Sequence, residues 1–165
     1  AVVETLKEIN KFENLIGDDA VYLEKMGWKV VAFDLSDSCI AWCKDRFSDS
    51  SVHWEVGDVT NPPESWIENF DLVVEIHILQ AIPAEIREEA ANVLPTFLKP
   101  EGRLISIGRE ATDRTEEVMT LPWPLSRKWL MEKFSSLDVV IFQAIVLEDW
   151  PDIDRYVGVW QRISQ

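Results

Sequence analysis

The sequence predicts an α/β fold: an open, mostly parallel sheet with helices on both faces and an antiparallel hairpin at its C-terminal end. Three observations carry that expectation. Short β-rich runs alternate with stretches of helical periodicity between Lys29 and Gly108, the pattern of strand–helix–strand crossovers. The run Phe70-Asp-Leu-Val-Val-Glu75 is apolar on both faces, as a strand covered on two sides is. The last two β-rich runs, Asp138 to Leu147 and Arg155 to Ile163, leave no room for a helix between them and therefore pair antiparallel.

The elements follow in order. Lys29-Val-Val-Ala-Phe-Asp34 is a short strand ending on an acid, and Ser36-Asp-Ser then offers N-caps for a helix with Ile40, Cys43 and Phe47 on one face. Val52-His-Trp-Glu-Val56 is a second strand, closed by Gly57-Asp58. The third strand, Phe70 to Glu75, comes after Asn61-Pro62-Pro63. Pro83 sits where a helix can start, with Ile86, Ala90, Val93 and Leu94 as its inner stripe, and Pro95 and Lys99-Pro-Glu-Gly102 end it. Arg103 to Gly108 is the fourth strand. A polar stretch from Arg109 to Thr120 and Pro122-Trp123-Pro124 precede a helix near Ser126 to Phe134. The acidic run Glu148 to Asp154, around Pro151, reads as a solvated hairpin turn, and Trp28, Trp42, Trp54 and Trp66 as core or rim packing. With no repeat, low-complexity tract or linker, residues 1–165 read as one domain.

Composition narrows the function. With 30 Asp and Glu against 16 Lys and Arg, the net charge is −14, which disfavours nucleic acid and anionic membrane as partners by long-range repulsion. Eight tryptophans and 47% hydrophobic residues exclude a disordered acidic tail. No window offers the roughly 18 uncharged apolar residues of a membrane helix, and the N-terminal residues lack the pattern of a signal peptide. The chain opens on Ala1, which implies processing or trimming. Cys39 and Cys43, with no nearby His, read as reduced thiols of a cytoplasmic protein and give no metal site.

Ligands of open α/β sheets bind outside the carboxyl ends of the strands, which singles out Asp34, Gly57-Asp58-Val59, Glu75-Ile76-His77 and Gly108-Arg109-Glu110. An acid in the place of Asp34 can accept both hydroxyls of a ribose, and it stands 17 residues beyond Gly17. Asp58 can accept the exocyclic amine of adenine. The alternative for Asp34 is an acid that complements the dipole of the following helix.

These residues resemble a family. Lys29-Val-Val-Ala-Phe-Asp-Leu-Ser36, Val56-Gly-Asp-Val59, Phe70-Asp-Leu-Val-Val-Glu75 and Leu98-Lys-Pro-Glu-Gly-Arg-Leu104 look like successive motifs of class I S-adenosylmethionine-dependent methyltransferases, a Rossmann-like fold. The run Gly17 to Gly27 is similar to the helix after that family's glycine loop. The Pro-Trp-Pro-Leu-Ser element at 122–126 looks closest to small bacterial thiopurine-methyltransferase-like proteins. The resemblance implies that Gly17 belongs to the cofactor loop and that Asp34 holds the cofactor ribose, with Leu35 against adenine. It further implies that Asp58 takes the adenine amine beside the Val59 backbone, that Glu75 and Ile76 lie along the methionine portion, and that His77 faces the transferred methyl and the substrate. The final antiparallel strand matches the one that the family inserts into its sheet.

The family's first strand and glycine loop should precede Asp18, where Lys7-Glu-Ile-Asn-Lys-Phe-Glu-Asn-Leu-Ile-Gly17 holds a single glycine. Either Thr5 to Ile9 is the strand and Asn10 to Gly17 a longer loop, or Ala1 to Phe12 is a helix and the strand shrinks to Asn14-Leu-Ile-Gly17. His77 is a base candidate at a strand tip, with a structural hydrogen bond as the other reading, and His53, inside a strand, reads as structural. Arg109, Trp123 and Trp129 are substrate-side candidates, with Arg109 suited to a substrate carboxylate; Trp123 packing its turn on the core is the other reading. The expectation is thus a methyltransferase using S-adenosylmethionine on a small soluble substrate, with no metal, nucleic acid or membrane partner, as a monomer or small homo-oligomer. A non-catalytic binding or scaffold protein of the same fold is the alternative, favoured by the glycine-poor stretch. An NAD-type oxidoreductase fits less well, because no Gly-x-Gly-x-x-Gly precedes Asp34.

Overall fold

The computed structural model describes residues 17–113, 121–148 and 150–164. Both alternatives for the first strand and its loop fall on residues 1–16, outside the described residues apart from Gly17. The chain forms two compact units, divided between Asn61 and Pro62.

In the first unit, helix α1 (Asp18–Lys25) leads to strand β1 (Val31–Asp34), helix α2 (Asp37–Arg46) and strand β2 (His53–Val56). The two strands pair in parallel, from Val31 opposite His53 to Asp34 opposite Val56. Ser36 caps α2 as expected, its hydroxyl accepting the Cys39 N–H at 3.2 Å. Ala20 and Val21 of α1 and Ile40 and Cys43 of α2 pack with Val52 and Trp54, and the Phe47 ring stacks on Trp54 with centroids 5.8 Å apart. At Gly17 the backbone is left-handed, with φ 86°, and a Cβ would stand 2.8 Å from Trp54 and 3.1 Å from the Cys43 sulfur. Conformation and space both demand glycine there. Arg46 grips Asp18 through two bonds of 2.6 and 3.0 Å, tying α2 to α1.

The second unit holds strand β3 (Phe70–Ile76), the one-turn helix α3 (Ile78–Ala81), helix α4 (Ala84–Val93), strand β4 (Leu98–Arg109), helix α5 (Arg127–Lys133) and strands β5 (Asp138–Leu147) and β6 (Trp150–Gln161). The sheet order is β3-β4-β6-β5. Strand β4 runs parallel to β3, and β6 lies antiparallel between β4 and β5, so three strands point one way and the last is inserted against them. The mixed α/β class and the antiparallel C-terminal hairpin are as the sequence predicts.

Three local expectations need correction. Leu147 pairs with Trp150, and most of the acidic run 148–154 is strand, with Asp152 on an exposed position. Lys99-Pro-Glu-Gly102 lies within β4, because a register shift between Phe70 and Leu72 absorbs it, with Glu101 at φ 64°. On α4 the inner face is Ala90, Ala91 and Leu94, while Ile86 is 44% exposed. Arg87 takes the inward position, since its guanidinium donates to the carbonyls of Leu79 and Ile82. Of the tryptophans, Trp54 and Trp66 are core, whereas Trp28 and Trp42 are about half exposed, Trp42 lying against the Arg46 guanidinium at 5.0 Å. Among the described residues no helix is long and apolar enough to cross a membrane, and no group of three His, Cys, Asp or Glu side chains is placed to hold a metal ion.

Candidate functional site

The first unit brings Asp34 and Asp58 to neighbouring strand tips. The Gly57 N–H, just past β2, donates to the Asp34 carbonyl at 3.0 Å, which aligns the ends of β1 and β2. Asp34 Oδ1 accepts the Ser36 N–H at 2.8 Å, fixing the carboxylate at the turn that leads into α2. The Cys39 thiol is pushed up, first by burial and then by the Asp34 charge beside it. Asp58 Oδ1 accepts both the N–H and the hydroxyl of Thr60 at 2.8 Å, and these bonds hold its carboxyl below the usual range. Leu35, between the strand tip and α2, is 73% exposed, an unburied apolar side chain next to an acid. Val59 is half-buried. The tip therefore offers two acidic side chains as acceptors, with an apolar surface beside one of them. Gly17 stands at the start of α1, where its packing against Trp54 accounts for the residue.

The second unit positions Glu75, Ile76, His77, Arg109 and Trp123. Glu75, at the end of β3, is 3% exposed. The Ser106 hydroxyl donates to its Oε1 and the Leu79 N–H to its Oε2, while the Ser106 and Tyr156 hydroxyls are 2.9 Å apart. Burial pushes the Glu75 carboxyl up to about 7 against the pull of those bonds, and raises the Tyr156 phenol well above its usual value. Ile76 is half-buried. His77 follows in a left-handed conformation, φ 60°, with its N–H donating to the Ile107 carbonyl at 3.0 Å. A non-glycine residue held there costs on the order of 1–3 kcal/mol, so β4 must supply the restraint. Its imidazole Nδ1 lies 2.9 Å from Gln80 Oε1, and burial, aided by the Arg109 charge, lowers its pKa against the raising effect of Gln80.

Gln80, which the sequence reading passed over, joins these candidates. Fully buried, it accepts the Arg109 N–H at 2.8 Å, donates to the Arg109 carbonyl at 2.7 Å and accepts the Trp123 N–H on its own backbone carbonyl at 3.0 Å. A buried amide in a polar-poor sequence segment was the available signal, since such a group must find partners. Trp129 is used elsewhere: its indole N–H donates to Glu88 at 2.7 Å, linking α5 to α4. His53 is exposed, 3.5 Å from Glu55.

The sequence matches the family model described as a methyltransferase domain over residues 16–102, more than half of the chain. The chain belongs to the methyltransferase-domain family. Solved structures with the same fold include a SAM-dependent methyltransferase from Methanosarcina mazei, at a TM-score of 0.76, 14% identity and coverage of 90% of this chain and 89% of that one. The 1,6-didemethyltoxoflavin-N1-methyltransferase of Burkholderia thailandensis, with 1,6-didemethyltoxoflavin and S-adenosylhomocysteine bound, gives 0.69, 16%, 90% and 67%. The N-methyltransferase NodS of Bradyrhizobium japonicum, in complex with S-adenosylhomocysteine, gives 0.67, 16%, 88% and 74%. No curated protein matches the sequence. The matched span of the methyltransferase domain includes Gly17, Asp34, Asp58, Glu75 and His77 and ends before Arg109 and Trp123.

Proposed function

We propose that this methyltransferase domain is an S-adenosylmethionine-dependent enzyme acting on a small soluble molecule, as a single cytoplasmic domain, monomeric or a small homo-oligomer, that uses no metal and binds neither nucleic acid nor membrane. The observation that carries the reading is the pair of carboxylates at adjacent tips of β1 and β2. A nucleoside presents two hydroxyl donors on its ribose and an amine donor on adenine, and acidic side chains are matching acceptors. Asp34 takes the ribose hydroxyls and Asp58 the adenine amine, with Leu35 and the Val59 backbone against the ring and Gly17 at the loop before α1. Glu75 and Ile76 serve the methionine side, and His77, Arg109 and Trp123 the acceptor side. When bound, S-adenosylmethionine supplies a methyl group on a sulfonium sulfur that keeps the electron pair of the broken bond. The protein's part is orientation of the acceptor. Small-molecule ligands in the Burkholderia thailandensis relative and the charge of −14 support a small substrate.

Calorimetric titration with S-adenosylhomocysteine, with adenosine as control, tests the reading. Micromolar binding that Asp34→Ala weakens by about tenfold to a hundredfold is expected. Binding of adenosine alone, or of neither, refutes it and leaves the scaffold reading, which the single glycine between residues 10 and 17 favours.

A further inference from the structure

The Gln80 side chain touches two of the three acceptor-side candidates, His77 and Arg109, while its backbone holds the third, Trp123. Its amide orientation follows from its partners. The Arg109 N–H can only donate and the Arg109 carbonyl can only accept, so the atom that faces the N–H is the oxygen and the atom that faces the carbonyl is the nitrogen. The same oxygen lies 2.9 Å from His77 Nδ1. An amide oxygen accepts and never donates, and the imidazole must therefore bring the proton. Gly108 makes the arrangement possible, because a Cβ at that position would collide with the Gln80 amide oxygen. His77 Nε2 has no hydrogen-bond partner among the described residues.

We propose that Gln80 is a positioning residue that holds His77 as its Nδ1–H tautomer, leaving Nε2 as the lone-pair nitrogen for a methyl acceptor that carries an N–H or O–H. The inference rests on the methyltransferase reading for its substrate class, whereas the tautomer itself depends only on this unit. When the acceptor loses its proton, that proton passes to Nε2. The pair of the broken N–H or O–H bond stays on the acceptor atom, where it forms the bond to the methyl carbon. The ring becomes imidazolium and Nδ1–H still donates to Gln80 Oε1, so the same bond serves both forms. An acceptor that arrives without a removable proton gains nothing from this geometry. The lowered His77 pKa agrees with a ring that is neutral before the acceptor arrives.

The test is a long-range proton–nitrogen correlation spectrum of the ligand-free, nitrogen-15-labelled full chain. The chain has two histidines, and His53→Gln assigns the second. The wild-type spectrum should show His77 protonated on Nδ1. Gln80→Leu should convert the ring to the tautomer mixture of an unrestrained imidazole, and Gln80→Glu, which keeps an acceptor facing Nδ1, should retain the Nδ1–H form. If Gln80→Leu does not fold, the wild-type and Gln80→Glu spectra still decide. An Nε2–H ring in the wild type, or a tautomer indifferent to Gln80→Leu, overturns the proposal. With an N–H or O–H acceptor in hand, Gln80→Leu should lower kcat about a hundredfold, with S-adenosylhomocysteine affinity kept within twofold. Failure of the wild type to bind S-adenosylhomocysteine would remove the methyltransferase reading and leave the tautomer result standing, so the two failures are distinct.

Discussion

Glu75→Gln should stabilise the protein at neutral and alkaline pH and lose that advantage in acid. Glu75 is 3% exposed, and burial moves its carboxyl from an ordinary 4.5 to about 7. A shift of that size corresponds to about 3 kcal/mol against the charged form. Below about pH 4.5 the folded and unfolded chains both carry the proton, and Glu75 exacts no penalty. Between pH 4.5 and 7 the unfolded chain gives up its proton while the folded chain keeps it, so folding stability falls as pH rises, and above 7 the whole penalty applies. The amide does not titrate; its oxygen can accept the Leu79 N–H and its nitrogen can donate to the Ser106 oxygen, whose own proton then turns from this group to Tyr156. Urea unfolding followed by tryptophan fluorescence, at pH 4.5, 6 and 8 for both proteins, gives the difference at each pH, in which every other titrating group cancels. That difference should shift in favour of the variant by about 3 kcal/mol from the lowest pH to the highest. A constant difference across the range would refute the reasoning, because it would mean that Glu75 ionises alike in the folded and unfolded chain.

Asp34→Ala should weaken S-adenosylhomocysteine binding by about tenfold to a hundredfold, the worth of hydrogen bonds to a charged group, as read by calorimetry. Gly17→Ala should lower unfolding stability by about 1–3 kcal/mol, seen as a reduced urea midpoint, because its methyl group would sit 2.8 Å from Trp54 in a left-handed residue. Arg46→Ala breaks a two-bond ion pair with Asp18 whose partners are only 27% and 18% exposed, yet surface pairs rarely exceed about 1 kcal/mol; its midpoint should move less than that of Gly17→Ala.

Periodicity made the strands and the two long helices of the central stretch legible, since apolar runs such as Phe70 to Glu75 admit no other placement. Ser36 and Ser126 mark helix starts through a chemistry visible in the sequence, and both accept the expected N–H groups. What escaped depends on partners distant along the chain. The inward turn of Arg87 rests on the carbonyls of Leu79 and Ile82, and no hydrophobicity pattern announces a charged residue on an inner face. The extension of β4 through Pro100 and Gly102 needs β3 beside it to take up the register shift. Asp34 and Asp58 stand out in the sequence because one ends β1 and the other follows the end of β2, whereas Gln80 does not, because its side-chain partner Arg109 lies 29 residues away.

The same distinction explains how β4 governs the end of β3. Three groups just past or at that end are energetically unfavourable alone: a carboxyl without water, a histidine with positive φ, and a buried amide. Each finds its relief on β4, through Ser106 for Glu75, the Ile107 carbonyl for His77 and the Arg109 backbone for Gln80. These partners are consecutive in the strand apart from Gly108, whose missing side chain leaves room for the amide. A slip of β4 by one residue against β3 would turn the Ser106 side chain to the other face and displace the Ile107 carbonyl and the Arg109 backbone from His77 and Gln80, which removes all three reliefs together. The register Glu75 opposite Ser106 and Ile76 opposite Ile107 is therefore specified by the polar cluster as well as by the core beneath it, and the residues that would face an acceptor are fixed by the same pairing that builds the sheet.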